Sequence, residues 1–279
     1  MGVRFDAYSA TTTALRPHQI VGWMFSMDRG DSVQQGRGFH TFAERVAVKN
    51  HAGDEVGAVQ WGGSRQGDRV MLEVKGERTP EVVEQLRSAA EHRCTRVDSC
   101  VDFERPGAFL ELLEPVMEVK AKHGLYGERR GDWEFPELGR TQYLGASSSA
   151  IRARLYEKGR QPEFRHLNRD DLVRLEIQVR PAKEAKSEFS KLSAIECWGA
   201  SKWTRQLAEV VLTEMLDSHP PGTVRKDSSQ AQKERWLVKQ YGAVLVQLAA
   251  DCGGWKEAGL TLQEMVKAEA ERKRTRRDG

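Results

Sequence analysis

Two runs of alternating character, Ile151 to Lys158 and Leu172 to Arg180, constrain this chain more than any other feature. In each run every second residue is apolar, a period of two that fits paired antiparallel strands and not an amphipathic helix. A polar loop joins them. Successive strand side chains point to opposite faces, so Arg152, Arg154, Tyr156 and Lys158 share one face, and Arg174, Glu176 and Gln178 share one face of the partner. The pair predicts a hydroxyl ringed by cations beside a carboxylate. An unperturbed phenol, with a pKa of about 10, is mostly protonated at neutral pH, so Tyr156 is a nucleophile only in such a setting. The plainer reading of the same pattern is a half-buried tyrosine on a wet sheet face.

The rest of the chain supplies strands and helices to go with that pair. Val3 to Thr11 reads as a strand and Pro17 to Met27 as a helix, followed by a Gly-rich loop from Asp28 to Arg37. Phe39 to Lys49, Val56 to Gly62 and Arg69 to Gly76 read as an antiparallel meander, and Thr79-Pro80 opens a helix that ends near His92. The pattern then restarts. Thr95 to Phe103 is a strand, Phe109 to His123 a helix carrying Pro115, and Gly124 to Gly139 a Gly-rich loop. Three strands follow, at Gln142 to Gly145, Ile151 to Lys158 and Leu172 to Arg180. Short echoes, Arg4-Phe5-Asp6 with Arg96-Val97-Asp98 and Leu72-Glu73-Val74 with Leu175-Glu176-Ile177, accompany the restart.

The expected fold class is therefore α+β, with two β-α-β-β-β-α units (about 1–93 and 94–218) sharing a large antiparallel sheet. Helices would cover one face and leave the other free for a ligand. Lys183 to Ser218 reads as mainly helical, with Leu192, Ile195, Trp198, Leu207, Val211 and Met215 as core positions. Residues 219–232 read as a linker around Pro220-Pro221-Gly222. Residues 233–279 form a helical C-terminal region, in which Trp236, Leu237, Tyr241, Leu245 and Leu248 make a core or interface stripe.

Composition narrows the function classes. The chain of 279 residues is 39% hydrophobic, enough for a real core, and its formal charge of +3 names no partner by itself. Distribution says more: Arg140 to Lys186 holds eleven Lys or Arg against six Asp or Glu, and Arg272-Lys273-Arg274-Thr275-Arg276-Arg277 closes the chain. Such patches fit a polyanion such as nucleic acid. Four cysteines without a C-x-x-C pair indicate neither a disulfide scaffold nor a zinc site, and a reducing, cytoplasmic setting is expected. No signal peptide, membrane span or myristoylation signal is read. There is also no G-x-S-x-G elbow, no closely spaced histidine pair and no phosphate loop.

The remaining chemistry lies in Arg96-Val97-Asp98-Ser99-Cys100-Val101-Asp102-Phe103. Asp98 and Asp102 share a face but stand roughly 13 Å apart at about 3.3 Å per residue, so both cannot ligate one ion on a regular strand. One of them with a carboxylate from a neighbouring strand would suit Mg²⁺ or Mn²⁺, since all the donors are oxygen. An ion pair between Asp98 and a flanking arginine is the structural alternative.

Taken in order, RVDSCVDFE, TQYLGASSSAIRARLYEK and VRLEIQVR resemble the replication initiation factor family. That family includes rolling-circle initiators of plasmids and filamentous phages and related relaxases of integrative elements. The resemblance spans Thr95 to Arg180, with a weaker match at Val70 to Gly76. It implies a DNA nicking-closing endonuclease, a strand transferase whose tyrosine attacks a phosphodiester at an origin. The products would be a free 3′-hydroxyl and a covalent 5′-phosphotyrosine. The Arg-x-Tyr-x-Lys motif places the nucleophile on Tyr156, with Tyr143 as the fallback. The metal-binding carboxylates fall on Asp98, Asp102 and Glu176, for Mg²⁺ or Mn²⁺, and Arg152, Arg154, Lys158 and Arg174 are candidates for DNA phosphates. Glu157 stands where the family usually has Asp. Implied partners are origin DNA, single-stranded at the nick, then host helicase and replication proteins and a second copy of the chain; no membrane is implied. Arg154 or Lys158 is expected to lower the Tyr156 pKa. Origin recognition would fall to the helical C-terminus and its basic tail. A non-catalytic DNA-binding regulator on the same scaffold is the alternative, and a hydrolytic nuclease using water is the third.

Overall fold

The computed structural model describes residues 2–135, 138–213, 216–222 and 229–275. The segment 223–228, Met215, the side chain of Trp236 and the basic side chains from Arg272 onward lie outside the described residues. The chain divides into two compact units, Met1–Val224 and Arg225–Gly279.

The first unit is built on one ten-stranded sheet, antiparallel throughout. Its strands are β1 (Arg4–Thr12), β2 (Ser32–Arg37), β3 (Glu44–Lys49), β4 (Glu55–Trp61), β5 (Val70–Lys75), β6 (Arg93–Glu104), β7 (Gly127–Gly131), β8 (Arg140–Leu144), β9 (Ile151–Glu157) and β10 (Leu172–Val179). They lie in the order β2-β3-β4-β5-β1-β6-β10-β9-β8-β7. Two of them, β2 and β7, occupy stretches whose glycines read as loops. Gly36 and Gly127 to Gly131 instead sit in edge strands, where a small residue is tolerated because one side of the ladder has no partner. Each half is thus a strand, a helix and four strands, one strand more than the sequence pattern indicated.

Helices α1 (Pro17–Met24), α2 (Thr79–Ala89), α3 (Ala108–Lys122), α4 (Ala185–Phe189) and α5 (Lys202–Leu212) join the sheet in one buried cluster. The alternation of β10 decides which face they cover: Val173, Leu175, Ile177 and Val179 belong to that core with Leu86, Val116 and Leu207. Burying each such side chain contributes about 1.5–3 kcal/mol. The stretch 183–218 is more broken than its sequence suggests, with a 3₁₀ turn at Glu196–Ala200 between α4 and α5. Trp198 explains the break. Its indole is fully buried and donates to Ser99 Oγ at 2.9 Å, and Ser99 in turn donates to the Ala194 carbonyl at 2.7 Å. Two buried polar groups are satisfied only if the chain turns there.

The expected linker begins later than its prolines suggest. Pro221 accepts a backbone hydrogen bond from Ala182 and His219 donates one to Gly199, so residues up to 222 belong to the first unit. In the second unit α6 (Ser229–Asp251) starts inside the predicted linker and is followed by α7 (Trp255–Thr275). Of its expected apolar stripe Leu237 and Tyr241 are exposed and Leu245 and Leu248 half-buried, while Ala249 and Ala258, outside the stripe, are buried. Among the described residues no helix is long and apolar enough to cross a membrane.

Candidate active site

The face of β6, β9 and β10 turned away from the helices carries the charged residues. Register aligns them in rows. Tyr156 of β9 lies between Thr141 of β8 and Arg174 of β10, and Arg174 is opposite Asp102 of β6. Two residues further along, Tyr143, Arg154 and Glu176 form the next row, and beyond it Arg152, Gln178 and Asp98 form a third. The glycine of the Thr-x-Tyr-Leu-Gly segment fixes the turn that returns β8 into β9. Gly145 has φ of +84°, and a Cβ there would stand 2.8 Å from the Ile151 carbonyl oxygen, so a side chain is excluded on both counts.

Each of the three expected metal carboxylates is held by arginine. Glu176 accepts both arms of Arg154, at 3.1 and 3.0 Å. Asp98 accepts from Arg96 through Nε at 2.8 Å and through Nη2, and from the Gln178 amide at 3.3 Å. Asp102 accepts from Arg174 and from Arg4 at 2.6 Å. Among the described residues no group of three or more His, Cys, Asp or Glu stands together as a metal cluster. Arranged this way the three do not make a divalent-cation centre, because guanidinium groups already occupy the oxygens a metal would need.

The expected phosphate ligands also separate. Arg174 is 1% exposed and forks between Asp102 and Asp6, the residue at the β1 bulge, so it faces carboxylates and not solvent. Lys158 begins a 3₁₀ turn just past β9, with its ammonium 4.4 Å from the Phe164 ring centroid. Burial and the charge of Arg174 push its pKa down. Arg152 and Arg154 remain at the surface of the face and, with Arg96, Tyr143 and Glu176, line a cavity of about 110 Å³. The Arg152 Nε is buried there without a hydrogen-bond partner, a donor set for an acceptor.

Tyr156 is 2% exposed, with the Arg154 guanidinium 4.4 Å from its ring centroid. Its hydroxyl donates to Glu176 Oε2 across 3.4 Å, longer than the ~2.7 Å usual for O–H···O. The expected lowering of the phenol pKa is reversed. Desolvation by burial and the negative charge of Glu176 push it well above the ordinary value, and Arg154 and Arg174 only oppose that rise. Burial, helped by Asp98 and Asp6, also pushes the Glu176 carboxyl up, to about 7. Asp102 goes the other way. Burial opposes its ionisation, but Arg174 and Arg4 prevail and hold its carboxyl down at about 2. Tyr143, the fallback nucleophile, lies under Arg152, whose guanidinium is 3.7 Å from its ring centroid.

Sequence reasoning missed Arg4 and Asp6 as members of this face, although the Arg-x-Asp echo contained both, whereas the pair of Asp98 with the flanking Arg96 is the structural alternative it offered. It also missed the latch on the other side of β9, where Glu157 accepts from the Arg140 backbone and from both arms of its side chain at 2.8 to 2.9 Å.

No family model and no curated protein matches this chain. Among solved structures it is similar to a rolling circle replication initiator protein from Geobacillus stearothermophilus, at 18% sequence identity and a TM-score of 0.48, over 71% of this chain and 83% of that one.

Proposed function

We propose that this chain is a rolling-circle replication initiator that nicks and rejoins one DNA strand at an origin through a covalent 5′-phosphotyrosine on Tyr156. The observation that supports this most directly is the Tyr156 hydroxyl directed at a carboxylate of near-neutral pKa, beside a cavity walled by three arginines. In the nicking step the phenol oxygen bonds to phosphorus and the bond from phosphorus to the 3′ oxygen breaks. The phenol proton passes to Glu176, and the 3′ oxygen leaves as a hydroxyl after taking a proton back. Reversal rejoins the strand. A base matched to the operating pH is the useful one, and a carboxyl raised to about 7 meets that condition.

Arriving phosphates compete with carboxylates for Arg96, Arg152 and Arg154, and Arg154 must leave the Tyr156 ring for the attack to occur. The resting arrangement, in which the phenol is covered and its pKa raised, is the specific observation that favours the second reading, a non-catalytic DNA-binding regulator. We also read the two halves of the sheet as copies of one ancestral unit, on the matching order of their strands.

The deciding experiment incubates the protein with labelled single-stranded origin DNA, with Mg²⁺, with Mn²⁺ or with chelator, and resolves covalent complexes on a denaturing gel. A retarded band lost in Tyr156→Phe and kept in Tyr143→Phe is expected. DNA binding without any band supports the regulator, and cleavage by Tyr156→Phe without a band means that water attacks. The chelator lane tests the metal dependence that the family resemblance implies.

A further inference from the structure

The charged sheet face has arginines, but nearly all of its positive charge is cancelled on the spot. Arg4, Arg96, Arg152, Arg154 and Arg174 are each paired with an acid. A different region holds cations without that cancellation. Where β1 ends and β6 begins, a cleft of about 570 Å³ opens between the end of α2 and the α4 region. Arg69, Arg87, Arg93 and Lys191 line it against one acid, Glu91. None of these four is paired with a carboxylate among the described residues. Arg87 donates to the backbone carbonyls of Ser190 and Leu192, and Arg93 to the Lys183 carbonyl at 2.6 Å and to Ser187 Oγ at 3.4 Å. Those partners fix the guanidinium groups in place and leave their full charges standing.

A concave wall of one sign concentrates field and attracts a counter-charge. The rest of the lining says which. Five Ser and Thr side chains add hydroxyls, and no Phe, Tyr or Trp lines the cleft. Single-stranded nucleic acid is held mainly by stacking its bases on aromatic rings, which this cleft does not offer. Hydroxyls and cations together suit phosphodiester oxygens, which position a duplex without reading its bases.

We propose that this cleft is a second DNA site, separate from the Tyr156 face, that grips the sugar-phosphate backbone of duplex DNA without sequence preference. It rests on the nucleic-acid reading above and adds to it a fixed anchor inside the sheet unit, apart from the basic C-terminal tail. Duplex held here leaves the Tyr156 face free for the melted strand.

The test uses the full chain and a fluorescently labelled duplex of about 20 base pairs, titrated by anisotropy over a series of salt concentrations. Arg69 and Lys191 are the residues to change, because both are exposed and the only side-chain bond of either is that of Arg69 to Gln66. Arg69→Gln and Lys191→Gln are each expected to reduce the slope of log Kobs against log salt by about 0.9, and the double variant by about twice that. A duplex of unrelated sequence should give the same reductions. Arg105→Gln, which removes a cation paired with Glu111 elsewhere, should leave the slope unchanged. Slopes equal to wild type in the double variant, or an equal loss in Arg105→Gln, would overturn the proposal. So would tripolyphosphate binding that depends on Arg69 and Lys191 while duplex binding does not, since the cleft would then serve a small polyphosphate. Adduct formation on a short single strand should stay at the wild-type level in both variants. Its absence from every protein, with the slopes behaving as expected, counts against Tyr156 as nucleophile and not against the cleft.

Discussion

Outward from the central pair, β5, β4, β3 and β2 follow β1 in the same sequence as β10, β9, β8 and β7 follow β6, yet the two halves present different surfaces. In the first half the middle of the face away from the helices is small or neutral and covered, with Arg45 and Glu73 in the adjoining positions. Ala47, Ala58 and Gln60 are buried, and Gln60 accepts from the Phe39 backbone at 2.6 Å. In the second half the equivalent face carries Arg154, Tyr156, Arg174 and Glu176. The same order of strands therefore carries a largely covered centre in one half and a charged one in the other, and the side chains, not the topology, make the difference.

The largest difference to test between the halves lies in their buried tyrosines. Tyr8 of β1 faces the helices, where its hydroxyl meets His92 Nε2 at 2.8 Å. Tyr156 of β9 faces away from them. Tyr156→Phe is expected to abolish the covalent DNA adduct, whereas Tyr8→Phe keeps it. An adduct of normal yield in Tyr156→Phe would end the distinction.

The buried cations come next. Arg174→Met leaves Asp6 and Asp102 facing each other without their shared guanidinium, and breaking such a buried pair costs about 3–5 kcal/mol. Arg45 of the first half is 16% exposed against 1% for Arg174, and its one acid, Glu55, keeps Lys75 as a second cation, so Arg45→Met should cost less, about 1 kcal/mol. Urea midpoints of the two variants measure the contrast, and equal losses would refute it.

How much of this was legible in the sequence varies with the periodicity of each segment. The alternation of β9 and β10 gave their pairing, faces and core, because a shift of one residue would have buried Arg174 among the helices. The edge strands β2 and β7 escaped notice because glycine and arginine carry no apolar alternation, and an edge needs none. The site was half legible. Tyr156, Arg154 and Glu176 follow from spacing, but the pairing of Asp102 with both Arg4 and Arg174 depends on β1 lying beside β6, a contact nearly 100 residues away in sequence. Which arginine neutralises which acid is a property of the assembled sheet.

Acid–base behaviour sharpens the comparison within the charged face itself, because Glu176 and Asp102 are displaced in opposite directions. The Glu176 carboxyl, raised to about 7, holds its proton in the folded protein while the unfolded chain has lost it, so stability falls as pH rises from about 4 through 7. Glu176→Gln should flatten that decline in urea midpoints. Asp102, held at about 2, acts in reverse: the stability it lends is present above about pH 4 and is lost as pH falls through 2. Asp102→Asn should remove that acid limb and leave the neutral one. If either variant changed the other's limb, the two carboxyls would not titrate separately.

The last contrast belongs to the first half. Burial pushes the His92 pKa down, so the imidazole is neutral at pH 7. Its Nδ1 is 3.2 Å from the Ala90 carbonyl, which can only accept, so the proton sits on Nδ1 and Nε2 receives the Tyr8 hydroxyl. Tyr8→Phe strands one buried acceptor and should cost about 1–2 kcal/mol. His92→Phe in the same background removes the stranded acceptor as well, so the double variant should recover part of that loss. A double variant less stable than wild type by the sum of both single effects would show that the two rings contribute independently and that the hydrogen bond between them adds nothing.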